Sequence, residues 1–250
     1  MDLNNTKTDI EVPWYMIPQN LDKGLLMQEA RIFSETPIDV SRCLSLITKL
    51  FHLITNTPNG KEFTRTESTN LFFALTKLFQ SDDAVLRRRV YLLMKELVGK
   101  ADDIIIIVSS LTKDMTKPVP AFRSNSIRLL SRVVDGQMLG QLDRFMRAGV
   151  VDKEPCVSCA TLVSGIHLMG VCPEVVRRWG NEVREASTSR NGLVQYHALG
   201  LLHAVQRGDR HALVKLLLSG NYTGVKQPLV HVTLVRIAKQ ILCEEKNPEK

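Results

Sequence analysis

Two cysteines at the spacing of redox and zinc sites are the first residues in the chain that could do chemistry. Cys156 and Cys159 enclose two residues in "CVSC". A structural zinc site needs four ligands, and the sequence holds no second paired cluster; Cys172 adds a third thiolate only if the fold bends it back. The same spacing suits small residues lining the start of a helix, the interpretation that we favour.

Histidines and serines offer no stronger catalytic pattern. His197, His203 and His211 lie in one region, but their spacings do not put all three on one helical face. No glycine-rich phosphate loop follows a strand, and no serine lies in the strand-to-helix elbow of a hydrolase. We therefore predict a protein that is not an enzyme and that uses no cofactor.

The basic residues point to no single partner. Arg87, Arg88 and Arg89 fan across about 200° of a helix, so we predict that they solvate the outer rim and the repeat junction. Aromatic residues make up 6% of the chain and do not interleave with the basic ones, which disfavours nucleic acid. A formal net charge of +7 permits an acidic partner without choosing among them.

Composition and cysteine use predict a cytoplasmic globular protein. The chain has 250 residues, of which 44% are hydrophobic, and it opens without a basic-then-apolar leader. Its longest apolar run, Ile104 to Val108, is far shorter than the roughly 20 residues of a membrane-spanning helix. Five scattered cysteines fit a reducing compartment.

Apolar residues recur three and four apart from Asp22 onward, which predicts amphipathic helices. Helix openings align about every 36 residues, at Leu86, Phe122, Val157, Val194 and Leu229. Partner helices are predicted between them, over residues 103–112, 136–148, 173–186 and 210–219. We predict an all-α fold, an α-solenoid (superhelix) of HEAT/armadillo-like helix pairs over 22–250, preceded by an extended N-terminal arm over 1–21.

The stretch "ADDIIIIVSSLTKDMT", residues 101–116, holds four consecutive isoleucines. We predict a helix here, with Asp102 and Asp103 placed favourably at its N-terminus. Four consecutive side chains sweep most of a helix circumference, so at least one faces away from its own repeat. If that side chain stays in water, the protein loses the burial free energy of one isoleucine, about 1.5–3 kcal/mol. Burial between neighbouring repeats is one interpretation, and an exposed grip for another protein is the other.

Five long segments resemble the coatomer gamma subunits of the adaptin-like family, in the same order and near the same spacing. The segments are "LLMQEARIFSETPID", "FFALTKLFQSDDAVLRR", "DDIIIIVSSLTKDMT", "VDKEPCVSCATLVSGIHLM" and "VQYHALGLLHAVQRGDR". The resemblance runs from Leu25 to the chain end and implies a non-enzymatic trunk segment of the COPI vesicle coat. It further implies other coatomer subunits, among them zeta, and a GTP-loaded ADP-ribosylation-factor GTPase as partners at Golgi membranes.

Related clathrin-adaptor trunks grip the switch regions of that GTPase, which implies a docking site in this chain. Laid against them, the residues are Ile105 and Val108, with Leu111 or Thr112 one turn onward. On a helix Ile105, Val108 and Thr112 form one face, and Ile104, Ile107 and Leu111 form a neighbouring face suited to the core. The preceding helix is expected to contribute, with ordinary core as the alternative for at least two of four residues: Phe72, Leu75, Thr76 and Phe79.

A rival from another class is a HEAT-type adaptor that binds peptide or cargo in its concave groove, as nuclear-transport proteins do. Such a groove needs a regular ladder of asparagine and tryptophan along the second helices. The sequence contains only Trp14 and Trp179, so the ladder is absent.

Overall fold

The protein is described from a computed structural model, which covers residues 21–56, 63–219, 222 and 226–246. No strand occurs in these residues. The predicted arm over 1–21 lies outside the described residues, apart from Leu21. The all-α prediction is therefore confirmed for the part of the chain that the structure describes.

Thirteen α-helices are seen across the described ranges. They are α1 Lys23–Glu29, α2 Val40–Asn56, α3 Arg65–Thr76, α4 Ala84–Leu97, α5 Val108–Met115, α6 Pro120–Val133, α7 Gly136–Val150, α8 Pro155–Leu168, α9 Pro173–Arg177, α10 Gly180–Ser187, α11 Gly192–Gln206, α12 Arg210–Ser219 and α13 Pro228–Lys246. Short 3-10 turns occupy Ala30–Ser34, Lys77–Gln80 and Ile104–Ile107. The chain divides into two compact units, residues 1–110 and 111–250.

The helix starts follow from the sequence. Asp83 accepts a hydrogen bond from the Leu86 amide at 2.7 Å and so caps α4, while Asp135 caps α7 through the Met138 amide. The prolines that open α6, α8 and α9 occupy the first helical position, where the missing N–H has no helical partner to lose. These local signals explain why the predicted helix openings are confirmed.

In the first unit, α2 packs against α4, and α4 also contacts α3. Arg87 of α4 corrects a prediction, because its side chain is fully buried and does not solvate the rim. Its guanidinium donates to the carbonyl of Phe79 at 2.8 Å and to the hydroxyl of Tyr91 at 2.6 Å. The charge is tolerated inside because these oxygens satisfy it. Arg89 likewise donates to Thr48 Oγ1 at 2.7 Å.

In the second unit, α8 packs between α6 and α11, and α11 continues against α13. The partner helices α7 and α12 match their predicted positions, but the helix predicted over 173–186 is broken into α9 and α10. Trp179 lies in the turn between them, fully buried, and its indole Nε1 donates to Asp143 Oδ1 of α7 at 2.7 Å. The turn between α9 and α10 is therefore anchored to α7.

Candidate protein-docking surface

The isoleucine stretch does not form the single helix that the sequence predicts. Asp103 takes a left-handed backbone conformation, with φ 52° and ψ 28°, and its side chain caps nothing. A 3-10 turn, Ile104–Ile107, follows, and only then does α5 begin at Val108. Each isoleucine carries two carbon substituents on its Cβ atom, which disfavours a regular α-helical start next to the reversal at Asp103.

Two contacts tie the start of this turn to α3. The Asp102 amide donates to Thr69 Oγ1 at 2.9 Å, and the Asp102 carboxylate lies 3.5 Å from Arg65 Nε. Asp102 therefore anchors the turn by its backbone and by an exposed ion pair. The contacts fix where the chain reverses, and with it the direction in which the next side chains point.

The four isoleucines divide sharply by exposure. Ile105 is 54% exposed and Ile106 62% exposed, whereas Ile107 is buried and Ile104 half-buried. A 3-10 turn has three residues per turn, so Ile104 and Ile107 align on the inner side while the two between them face outward. Full burial of each outer side chain is worth about 1.5–3 kcal/mol, which leaves a large apolar contact unused. We define Ile105 and Ile106 as the isoleucine ridge.

The other predicted docking residues do not all reach a surface. Leu111, Phe72 and Leu75 are fully buried, so we correct the predicted set by assigning these three side chains to the core. Val108, Thr112, Thr76 and Phe79 are half-buried. The Phe79 ring packs edge-on to Tyr91 at 5.5 Å, and the Thr76 hydroxyl donates to the Phe73 carbonyl at 2.6 Å. Ile106, the more exposed residue of the isoleucine ridge, was not among the predicted docking residues.

Several thiols and imidazoles of the described residues are at least half-buried or hydrogen-bonded. Among the described residues, no group of three His, Cys, Asp or Glu side chains is placed to hold a metal ion. Burial raises the pKa of the Cys159 thiol, and burial raises that of Cys43 to about 11, which keeps both protonated at neutral pH. Burial lowers the pKa of His197, and His203 Nε2 lies 2.7 Å from Gln240 Oε1.

Two surface cavities among the described residues are small. One of about 290 Å³ lies between the α7–α8 loop and the end of α10, and another of about 200 Å³ lies between α2 and α4. Sites for small ligands run from about 300 to 1,000 Å³. The isoleucine ridge is an exposed apolar feature suited to contact with another protein surface.

The family model described as "Adaptin N terminal region" matches residues 22–250. The chain belongs to the adaptin family. Its predicted resemblance is confirmed by curated relatives: it is 46% identical to coatomer subunit gamma of Arabidopsis thaliana over 227 residues, covering 91% of this chain and 25% of the relative. It is 45% identical to the Dictyostelium discoideum subunit over 231 residues, covering 92% and 25%.

A third relative of this adaptin-family chain is human coatomer subunit gamma-2, 46% identical over 226 residues, with 90% of the chain and 26% of the relative covered. The chain spans about a quarter of the length of the curated relatives it matches. Among solved structures, the karyopherin Kap121p bound to the extreme C-terminus of the phosphatase Cdc14p matches with a TM-score of 0.65. That match has 13% identity and covers 90% of this chain and 24% of the karyopherin.

The karyopherin likeness shows the fold alone and confirms the α-solenoid class of this adaptin-family chain. A search of the described residues finds no helix with both the length and the apolar character needed to cross a bilayer.

Proposed function

We propose that this chain is part of a COPI coat subunit that binds a GTP-loaded ADP-ribosylation-factor GTPase through the isoleucine ridge. The similarity to coatomer gamma subunits supports the coat role. The observation that carries the docking site is the exposure of two neighbouring isoleucines on a turn anchored to α3.

Selectivity for the triphosphate state comes from the partner. A small GTPase orders its switch regions around the γ-phosphate and its metal ion, and releases them after hydrolysis. Ile105 and Ile106 gain a complementary apolar pocket only while that patch is ordered. Burying two isoleucines in a dry contact contributes at most about 1.5–3 kcal/mol each. The half-buried Val108 widens the contact at the start of α5.

Recruitment to the membrane follows from the same contact. The GTPase is displayed on Golgi membranes, so the chain is cytoplasmic and becomes peripheral when the GTPase is loaded. Basic residues of the second unit, where 20 Lys and Arg stand against 12 Asp and Glu, add attraction to anionic headgroups. Each basic residue near the surface contributes about 1 kcal/mol. The zeta subunit and the other coatomer subunits complete the assembly.

A capture experiment tests the docking site. GTP-locked and GDP-locked GTPase are immobilised, and the wild-type chain is compared with the variant Ile105→Asp/Ile106→Asp. We expect capture by the GTP form to exceed capture by the GDP form at least about tenfold, and the variant to lose that excess. Equal capture by both nucleotide states would contradict the proposal, as would full retention by the variant.

A matched control separates docking from folding. Val85 in the first turn of α4 is 54% exposed, as Ile105 is, so Val85→Asp places a carboxylate at the same exposure away from the ridge. We expect its capture to stay within about twofold of the wild type, because exposed substitutions away from an interface cost little. Val108→Asp is measured separately by far-ultraviolet circular dichroism, since a loss of helix there would place Val108 in the core.

A further inference from the structure

A second uncovered apolar surface lies in the second unit, on regular helices. Along α8, Cys159, Val163 and Ile166 recur at four and three residues and therefore share one face. Val163 is 45% exposed, Ile166 is 40% exposed and Cys159 is half-buried. We call these three residues the α8 patch.

The α8 patch continues onto α11. A Cβ placed on Gly200 would lie 3.6 Å from Ile166 Cδ1, so the two helices run side by side here and only a hydrogen atom faces the isoleucine. At the adjacent residue of each helix, a Cβ on Gly165 would meet Leu201 Cδ2 at 2.8 Å. The close approach that Gly165 permits and the missing side chain at Gly200 leave Ile166 uncovered at the seam.

Arginines of α6 lie near the α8 patch, because α6 packs against α8. Burial raises the pKa of the Cys159 thiol, and the positive charge of Arg128 opposes part of that rise. Burial lowers the pKa of His167, and the charge of Arg132 lowers it further. Both guanidinium groups therefore lie close enough to act on side chains of α8. Arg128 and Arg132 are exposed and four residues apart, which puts them on one face of α6.

The three helices that build this surface contain no carboxylate. The sequences of α6, α8 and α11 hold no Asp or Glu, whereas they hold Arg123, Arg128 and Arg132. Burial also lowers the pKa of His167 and His197, so both imidazoles are neutral at pH 7 and the two exposed arginines supply the charge. The surface is apolar at its centre and positive along one edge.

We propose that the α8 patch and its arginine edge dock an acidic amphipathic helix of a partner protein. Aliphatic residues spaced three and four apart on that helix cover Val163 and Ile166, while carboxylates one turn to the side meet Arg128 and Arg132. The charge on this face selects the partner, because a helix with lysines in place of the carboxylates would be repelled.

Magnitudes favour a protein over a membrane or a nucleic acid. Two basic residues provide about 2 kcal/mol of attraction to an anionic leaflet, too little for stable binding. Binding to nucleic acid relies on many phosphate contacts, commonly six or more. Covering two half-exposed aliphatic side chains adds an apolar contribution of similar size, and this requires an apolar surface with a defined shape.

Fluorescence anisotropy with a designed probe tests the inference. The probe is a labelled helical peptide that carries leucines three and four residues apart and glutamates along one flank. A matched peptide replaces every glutamate by glutamine. We expect the wild-type chain to bind the glutamate peptide at least about tenfold more tightly than the glutamine peptide at low salt, with the gap closing as salt is raised.

Two chain variants separate the edge from the centre. The variant Arg128→Glu/Arg132→Glu is expected to abolish the preference for the glutamate peptide. The variant Val163→Ser/Ile166→Ser is expected to lower the affinity for both peptides at least about fivefold. The control Arg184→Glu/Arg190→Glu changes two exposed arginines elsewhere in the second unit. Its affinity for the glutamate peptide is expected to stay within about twofold of the wild type. Unchanged circular dichroism in each variant excludes unfolding.

Four outcomes overturn the inference. The glutamate peptide fails to bind saturably, it binds no more tightly than the glutamine peptide, or the control variant weakens it as much as the edge variant does. The fourth concerns lipid: phosphatidylcholine vesicles with and without phosphatidylserine are tested alongside. Phosphatidylserine-dependent binding that needs Arg128 and Arg132, with no peptide binding, would make this a lipid surface instead.

Discussion

The apolar side chains that form the two proposed docking surfaces lie on different kinds of backbone. In the first unit they lie on a 3-10 turn that follows a left-handed residue, Asp103. In the second unit they lie on the regular helix α8, next to the arginines of α6. One repeating architecture therefore presents an isolated apolar ridge at one place and a charged, apolar helix face at another.

Charge separates the units as clearly as backbone does. Residues 1–110 contain 13 Lys and Arg against 14 Asp and Glu, whereas residues 111–250 contain 20 against 12. The excess of positive charge thus belongs entirely to the second unit. A nearly neutral unit relies on shape and apolar contact to recognise a partner, while a basic one also selects by charge.

The largest expected effect is on the second unit alone. Trp179→Ala removes a fully buried indole and its 2.7 Å hydrogen bond to Asp143. Buried aromatic truncations lower the free energy of unfolding by about 3–5 kcal/mol. Amide hydrogen exchange is expected to accelerate in α7, α9 and α10 and to stay unchanged in α2 and α4. Equal acceleration in both units would show that the chain has one cooperative core.

The corresponding test in the first unit is Arg87→Met. The substitution removes the donors that Arg87 aims at the Phe79 carbonyl and the Tyr91 hydroxyl, leaving buried oxygens without those partners. We expect the free energy of unfolding to fall by about 2–4 kcal/mol in urea denaturation. Arg88→Met, at the exposed neighbouring position, is the control, and it is expected to change stability by less than about 0.5 kcal/mol. A similar loss in both variants would deny Arg87 a structural role.

A smaller effect on stability tests the close contact between α8 and α11 beside the α8 patch. Gly165→Ala places a methyl group 2.8 Å from Leu201 Cδ2 and 3.2 Å from Trp179 Cζ3. We expect destabilisation by about 1–3 kcal/mol from overpacking. Gly140→Ala, on α7 with nothing within 4 Å of the new Cβ, is expected to stabilise by about 0.5–1 kcal/mol. Thermal denaturation distinguishes the opposite signs, and matching signs would contradict the close contact.

The smallest effect concerns the pH dependence of the first unit. The side-chain hydrogen bond from Lys23, followed by the backbone hydrogen bond at Thr64, lowers the pKa of Glu67. A carboxyl whose pKa is lower in the folded state stabilises the fold above its unfolded pKa and loses that contribution as pH falls through the folded value. Glu67→Gln should therefore cost about 0.5 kcal/mol at pH 7 and almost nothing at pH 3. A cost independent of pH would contradict this origin.

The helical repeat was predictable from sequence because periodicity, caps and prolines agree with one another along the chain. The openings of α4, α6, α8, α11 and α13 all follow from them. Two breaks in the helices were not predicted, one at Trp179 and the other at Asp103. The segment 173–186 was predicted as one helix although it contains Gly180, and the buried hydrogen bond from Trp179 to Asp143 holds the turn that breaks it. Such long-range contacts have no local signal.

The exposure of the isoleucine stretch was predictable from sequence, but which side chains are exposed was not. Four consecutive isoleucines indicated that one would face outward, yet the predicted face assumed an α-helix through Ile105, Val108 and Thr112. The left-handed Asp103 and the 3-10 turn rotate the register, so Ile106 is exposed instead of a residue one helical turn onward. Likewise, the sequence predicts that Arg87 lies at the surface. The oxygens that accept its hydrogen bonds are brought to it only by the folded structure.

The most direct test of the isoleucine ridge is a site-specific photo-crosslink. A photoreactive amino acid replaces Ile106, and a second sample carries it at Val85, which is similarly exposed on α4. With GTP-loaded ADP-ribosylation factor, we expect a crosslinked species from position 106 and none from position 85; with the GDP form, neither should crosslink. A crosslink from position 106 that forms equally with both nucleotides, or that fails to form with GTP, would contradict the account.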